Sequence, residues 1–119
     1  MSVKLFDSEL KVMEVLWKEG DLTAGQLAKL LREQIGWNRN TTYTVIKKLI
    51  EKEAITRREP NFTCSAQISR QEVQQQETIA LIDRLFDGSA EFFLSAYLHG
   101  RALSEGEIAQ LKELVETLK

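Results

Sequence analysis

The sequence predicts a mainly helical fold of the α+β class, because the pattern of apolar residues changes twice along the chain. Up to residue 54, apolar positions recur at helical spacing and are interrupted by glycine. Residues 55–68 instead alternate apolar and polar side chains, as a short β-hairpin does. After the hairpin the chain contains no proline and returns to helical spacing. We therefore expect one domain over residues 1–69 and a helical domain over residues 70–119.

The chain begins with two predicted helices that are joined by a short extended segment at residues 21–22. Asp7 or Ser8 is expected to cap the first helix. Thr23, with Gln26 three residues later, has the spacing of a capping box that opens the second helix. The apolar stripe of the first helix is Leu10, Met13, Leu16 and Trp17, and the helix ends at Gly20. The stripe of the second helix is Leu27, Leu30 and Leu31, and that helix ends at Gly36.

The third predicted helix, capped by Asn38 and extending over residues 39–53, combines an apolar stripe with a polar face. The stripe consists of Thr42, Val45, Ile46, Leu49 and Ile50. Threonine is a poor helix former, so the threonines of the first turn were not selected for helix stability. A hairpin, called the wing below, follows over residues 55–68, with its tip at residues 59–61. The order helix, helix, helix, hairpin is that of a winged helix-turn-helix.

Positive charge is concentrated around the third helix, although the whole chain has a net charge of -2. Residues 1–70 carry a net charge of +3, and residues 71–119 carry -5. Six of the 16 lysines and arginines lie within residues 38–58. A local basic face attracts phosphate whatever the charge of the whole chain. The pattern therefore favours double-stranded DNA as a partner.

DNA offers base edges in its grooves and phosphates along its backbone, and the third helix and hairpin supply side chains for both. The expected base contacts are Asn40, Thr41, Tyr43, Thr44 and Lys47. The expected phosphate contacts are Arg39, Lys48, Lys52, Arg57, Arg58 and Asn61. The alternative is a winged helix used for protein contact, in which the basic helix is merely a solvated face. Salt distinguishes the two, because only DNA binding weakens steeply with ionic strength.

Three helices are expected after the hairpin, opened by Ser69, Ser89 and Ser104. Their apolar side chains include Ile82, Leu85, Phe86, Phe92, Phe93, Tyr97, Ile108, Leu111, Leu114, Val115 and Leu118. Three short helices cannot bury this much apolar surface on one another. We therefore expect a homodimer in which the helices of the second domain pair with those of another copy.

No motif indicates an enzyme, a cofactor or a metal site. The single histidine, His99, is more simply a helix C-terminal residue. Cys64 is expected in the core, with a redox switch in the wing as the alternative, and Trp17 and Trp37 are expected to pack. The charged first twenty residues do not resemble a signal peptide, and no apolar run is long enough to span a membrane. We expect a cytoplasmic, reduced protein.

The chain resembles the penicillinase repressors (the BlaI/MecI/CopY family) over nearly its whole length. The similar segments are ELKVMEVLWKEG, LTAGQLAKLL, WNRNTTYTVIKKLIEKEAI and RREPNF, with the family's recognition-helix pattern at Trp37, Thr41 and Thr44. The resemblance implies a homodimeric winged-helix repressor on a pseudo-palindromic operator, dimerised by its C-terminal helices. It also implies derepression by proteolysis in the C-terminal region, initiated by a membrane-bound sensor metallopeptidase that detects β-lactams.

Two departures from the family concern the inducing signal. The penicillinase branch is cut between an asparagine and a phenylalanine, and the matching positions here are Ala96 and Tyr97. The aromatic residue is retained, but the asparagine is absent. The copper-responsive branch carries paired cysteines near its C-terminus, whereas this chain has no cysteine after Cys64. The resemblance therefore supports repression more strongly than any one signal.

Overall fold

The computed structural model describes residues 3–119, so residues 1 and 2 of the predicted first domain lie outside the described residues. Six helices and three strands follow one another along this part of the chain. They are α1 (Asp7–Glu19), β1 (Leu22–Thr23), α2 (Ala24–Ile35), α3 (Arg39–Glu51), β2 (Ile55–Arg58), β3 (Thr63–Ala66), α4 (Arg70–Phe86), α5 (Ala90–His99) and α6 (Glu105–Glu116). The predicted mainly helical α+β class is confirmed.

The chain divides into two compact units, Met1–Thr78 and Ile79–Lys119. The division falls inside α4, whereas the boundary predicted from the sequence lies just before that helix. None of the helices within residues 3–119 combines the length and the apolar composition needed to cross a membrane.

The first unit has one apolar core, built from the helical stripes and from the inner side of a small sheet. Its fully buried large side chains include Met13, Leu27, Leu31, Ile46, Leu49, Ile55 and Cys64. Burying a side chain of this size contributes about 1.5–3 kcal/mol, so the stripes of α1, α2 and α3 hold this unit together. Trp17 lies at the edge of the core, where its Nε1–H donates to the Ile68 carbonyl at 2.9 Å.

The sheet has three antiparallel strands in the order β1-β3-β2. The predicted hairpin is confirmed, since β2 and β3 pair from Ile55 opposite Ala66 to Arg58 opposite Thr63. The short segment before α2 is also a strand, because Leu22 pairs with Cys64. A strand of two residues is too short to show an alternating pattern, so this pairing was not predicted from the sequence.

The starts of α2 and α3 agree with the sequence prediction. Thr23 and Gln26 form the predicted capping box, with hydrogen bonds of 2.9 and 3.1 Å. Asn38 Oδ1 accepts the Thr41 N–H at 2.8 Å. Helix α3 ends at Glu51, two residues earlier than predicted. It cannot continue, because Glu53 has a left-handed φ of 63°.

The predicted cap of α1 is wrong. Phe6 occupies the N-cap position, and Asp7 is already the first helical residue. Phenylalanine has no side-chain acceptor, so the Glu9 carboxylate takes over part of the capping by accepting the Phe6 N–H at 2.8 Å. Glu9 is itself fully buried and is paired with Lys52. The first helix is thus secured by a tertiary contact.

In the second unit, the end of α4 is followed by α5 and α6, as predicted. Ser89 and Ser104 cap α5 and α6 through hydrogen bonds of 3.1 Å. Phe93 lies between two aromatic neighbours, with ring centroids 5.6 Å from Phe86 and 6.2 Å from Tyr97. Neither α5 nor α6 contains a buried residue within this chain. The unit therefore leaves most of its apolar surface uncovered.

Candidate nucleic-acid interface

Helix α3 has one buried face and one polar, exposed face. The buried face is formed by Thr42, Val45, Ile46 and Leu49. The exposed face carries Asn40, Thr41, Thr44 and Lys47. Four of the five predicted base-contacting residues therefore point away from the core. They occupy the first two or three turns of the helix, which is the part of a recognition helix that enters a major groove.

Tyr43, the fifth predicted base contact, is only partly exposed because it packs between the helix and the wing. Its hydroxyl accepts a hydrogen bond of 2.9 Å from Arg39, whose guanidinium lies 4.8 Å from the ring centroid. Its ring also meets Phe62 edge to face, at 5.9 Å between centroids. Tyr43 thus connects the start of α3 to the wing.

Phe62 is a residue of this site that was not assigned a role from the sequence. Besides Tyr43, it contacts Arg57, whose guanidinium carbon lies 3.7 Å from the ring centroid. Its φ of 52°, next to Asn61 at 71°, folds the tip of the hairpin back so that the ring faces both neighbours. The position of an aromatic residue directly after the turn is the only sequence signal that could have identified it.

Both arginines of the wing are held in ion pairs. Arg57 Nε donates to Glu59 Oε1 at 2.7 Å, and Arg58 Nη2 donates to Asp21 Oδ2 at 2.6 Å. The arginine side chains are 50% and 58% exposed, so both remain accessible to a ligand. The hydrogen bond from Arg57, and next the N–H of Phe62, lower the pKa of Glu59. The Glu59 carboxylate is therefore ionised at neutral pH.

Lys52 differs from the other predicted phosphate contacts. Its Nζ lies 2.6 Å from Glu9 Oε1 and donates to the Lys4 carbonyl at 2.8 Å. The Phe6 ring covers it at 4.5 Å from the centroid, and only 29% of the side chain is exposed. Lys52, the residue directly after the end of α3, thus neutralises a buried carboxylate, whereas Lys48, within α3, is exposed.

The remaining polar candidates surround α3 and the wing. Lys48 lies on the exposed side of α3, and Asn61 lies exposed at the tip of the hairpin beside Pro60. The surface formed by α3 and the wing therefore combines hydrogen-bonding side chains on the helix with positive charge at its margins. This arrangement suits a double helix, whose base edges are flanked by phosphates.

Cys64 is a core residue, as predicted. Its side chain is fully buried in β3, and this burial raises the pKa of the thiol to about 11. The thiol is protonated at neutral pH and inaccessible in the folded protein, which argues against the redox alternative. Within residues 3–119 no cluster of His, Cys, Asp and Glu has the arrangement of a metal site.

A second candidate surface consists of the apolar side chains exposed on the second unit. Seven of the predicted dimerisation residues are exposed in the single chain: Leu85, Phe92, Tyr97, Ile108, Leu114, Val115 and Leu118. The other four, Ile82, Phe86, Phe93 and Leu111, are partly buried. Leu118 and Phe92 have 79% and 62% of their surface exposed. An apolar surface of this extent is typical of a protein–protein interface.

Comparisons with known proteins agree with this description. The family model described as "Penicillinase repressor" matches residues 5–117. The penicillinase repressor of Bacillus licheniformis is 25% identical over 118 residues, which is 98% of this chain and 92% of that protein. A solution structure of the DNA-binding domain of the repressor BlaI has a TM-score of 0.54 and 27% identity, covering 58% of this chain and 87% of that one. The predicted winged helix-turn-helix is confirmed by this likeness.

A further solved structure has the same degree of likeness. It is the monomeric form of Bacillus licheniformis BlaI in complex with the blaP half-operator. Its TM-score is 0.53, with 27% identity, and it covers 58% of this chain and 87% of that chain.

Proposed function

Because the chain belongs to the penicillinase repressor family, a family of transcriptional regulators and not of enzymes, we propose that it is a cytoplasmic repressor that binds operator DNA. The observation that carries this proposal is the exposed polar face of α3 next to the two exposed arginines of the wing, on a fold that matches the DNA-binding domain of BlaI. A helix buried on one side and polar on the other can enter the major groove without disturbing its own core.

Within this proposal, the predicted DNA-contacting side chains fall into base contacts and phosphate contacts according to their positions. The base edges are read by Asn40, Thr41, Thr44 and Lys47, which are exposed on α3. Phosphates are contacted by Arg39, Lys48, Arg57, Arg58 and Asn61 at the margins of the surface. Tyr43 positions the wing against the helix, and Lys52 is left out because it neutralises the buried Glu9.

We also propose that two copies of the chain act together. The exposed apolar side chains of the second unit would be covered by the same surface of a second copy, which is the usual solution for a symmetric dimer. A relative, BlaI, has been seen as a monomer on a half-operator. For this chain we expect a dimer on a pseudo-palindrome, with half-sites one helical turn, about 10 bp, or a multiple apart.

Derepression would follow from any event that removes the dimer contact. The segment matching the family's cut, Ala96 and Tyr97, lies within α5, and both residues are exposed. A protease acts on extended chain, so cleavage there by a membrane-bound sensor metallopeptidase would require local opening of α5. Loss of α6 would remove part of the apolar surface and with it the second copy.

The experiment that tests DNA binding is selection of duplexes from a random pool, followed by measurement of affinity at several salt concentrations. Asn40→Ala should cost about 1–3 kcal/mol on the selected site and little on random DNA, because it removes a base contact. Lys48→Ala should weaken binding to both and reduce the salt slope by about one unit, because it removes a phosphate contact. Lys112→Ala, in α6, is the matched control.

The alternative, a winged helix used for protein contact, makes the opposite prediction. It would select no duplex from the pool, and any weak affinity for DNA would not distinguish one sequence from another. If Asn40→Ala lost the same amount of affinity for the selected duplex and for random DNA, that residue would not be a base contact.

A further inference from the structure

The two arginines of the wing are paired with carboxylates of the same chain, and this pairing bears on how tightly the wing can hold DNA. Arg57, Arg58, Glu59 and Asp21 together carry no net charge. A phosphate that approaches the wing therefore meets two guanidinium groups whose field is largely cancelled. We propose that Glu59 and Asp21 compete with DNA phosphate for the wing arginines and so limit the affinity of the repressor.

The Glu59 carboxylate occupies a position on Arg57 that a DNA phosphate could otherwise occupy. Its Oε1 accepts from Arg57 Nε at 2.7 Å, and its Oε2 accepts from the N–H of Phe62 at 3.3 Å. The guanidinium carbon of Arg57 lies 3.7 Å from the centroid of the Phe62 ring, and half of the side chain is exposed, so the guanidinium is held where a phosphate could reach it. Both oxygens of the carboxylate are used, as phosphate oxygens would be.

Asp21 acts on the other arginine from a different part of the chain. It precedes β1 and is 37 residues from Arg58, which it meets at 2.6 Å. The Asp21 side chain is half exposed, so water and salt weaken this pair, and a phosphate can displace the carboxylate. The high charge density of the double helix favours that exchange.

The inference rests on the proposed DNA binding. It predicts that removing either carboxylate changes DNA affinity in the opposite direction to that expected if the carboxylate merely oriented its arginine. Removing a carboxylate that merely orients an arginine would weaken DNA binding. Removing one that competes would strengthen it on every sequence, because phosphate contacts do not depend on the bases. An exposed pair of this kind corresponds to about a two- to fivefold change in affinity per wing, or about four- to 25-fold for an operator that holds two wings.

The test uses the full-length protein with Glu59→Gln and, separately, Asp21→Asn. Both amides keep the shape and the hydrogen-bond acceptor of the side chain but lose its charge, so the wing should remain folded. Fluorescence anisotropy with the selected duplex and with a random duplex should show tighter binding to both and a steeper dependence on salt. Glu77→Gln is the matched control, because Glu77 is exposed on α4 and makes no ion pair among residues 3–119.

A double variant identifies the group responsible. Glu59→Gln should bring a much smaller gain in affinity when Arg57 is replaced by alanine, since only the repulsion between the carboxylate and phosphate is then removed. Unchanged or weaker binding by Glu59→Gln and Asp21→Asn would overturn the inference, as would an equal gain for Glu77→Gln or a gain that is undiminished without Arg57. If the unmodified protein bound no duplex at all, the proposed function would fail as well, whereas its binding with no gain in the variants would refute only the competition.

Discussion

Lys52 provides the sharpest test of the distinction between residues that support the fold and residues that face DNA. The sequence places it among the phosphate contacts, whereas the structure places its Nζ 2.6 Å from Glu9 Oε1. Only 1% of the Glu9 side chain is exposed, so Lys52→Met would leave an unpaired carboxylate in the interior. Breaking a buried pair in this way costs about 3–5 kcal/mol.

Partial exposure reduces that magnitude. The Lys52 side chain is 29% exposed, so water can partly replace it, and Glu9 keeps its bond to the Phe6 N–H. We therefore expect Lys52→Met to lower the free energy of unfolding by about 2–4 kcal/mol. In a unit of this size that corresponds to a fall in Tm of roughly 10–25 °C.

The assay is thermal and urea unfolding followed by circular dichroism, at one fixed protein concentration because the stability of the proposed dimer would depend on that concentration. Lys48→Met is the matched control, since it makes the same change four residues earlier, at an exposed position within α3. Adding Glu9→Gln to Lys52→Met should recover part of the loss, because the buried charge is gone. Equal stability of Lys52→Met and Lys48→Met would refute the reasoning. Lost DNA affinity without lost stability would return Lys52 to the phosphate contacts.

Three further predictions concern the wing, the apolar surface and the buried thiol. Phe62→Leu removes the ring that contacts both Tyr43 and Arg57, so DNA affinity measured by anisotropy should fall about 2- to 12-fold. Phe62→Tyr keeps the ring and should retain the affinity. Equal affinities of the two variants would show that the ring does not support DNA binding. Leu114→Glu should give monomers in analytical ultracentrifugation with an unchanged melting profile of the first unit, because Leu114 is 58% exposed in the single chain; persistent dimers would place the contact elsewhere. Cys64 should resist thiol reagents at pH 8 until the protein unfolds. Because burial raises the pKa of the folded thiol to about 11, the free energy of unfolding should fall as pH rises from about 9 to about 11, and Cys64→Ala should lose this component of the decline.

The helices could be predicted from the sequence because their signals are local. The stripes of α1 to α3 recur every three or four residues, and Thr23, Asn38, Ser89 and Ser104 each cap a helix within three residues of themselves. The exposed polar face of α3 follows directly from knowing which face is buried. These features required no knowledge of the tertiary contacts.

Most of the features that were missed depend on residues distant in sequence. Glu9 meets Lys52 across 43 residues, which explains the unexpected cap of α1 and places that lysine beside a buried carboxylate. Asp21 meets Arg58 across 37 residues, so the charge of the wing could not be judged from the hairpin alone. Counting charges along the sequence identifies where lysines and arginines are concentrated. Their ion pairs in the folded protein decide which of them are available to bind phosphate.

The most direct test of the central claim is chromatin capture of the tagged protein in its native cell, with the bound DNA sequenced for the wild type and for Asn40→Ala. If the protein is an operator-binding dimer, a small number of inverted repeats should be enriched, with half-sites about 10 bp or a multiple apart, and the enrichment should be lost in the variant. No enrichment, or enrichment of the same sites without Asn40, would contradict recognition of DNA through α3.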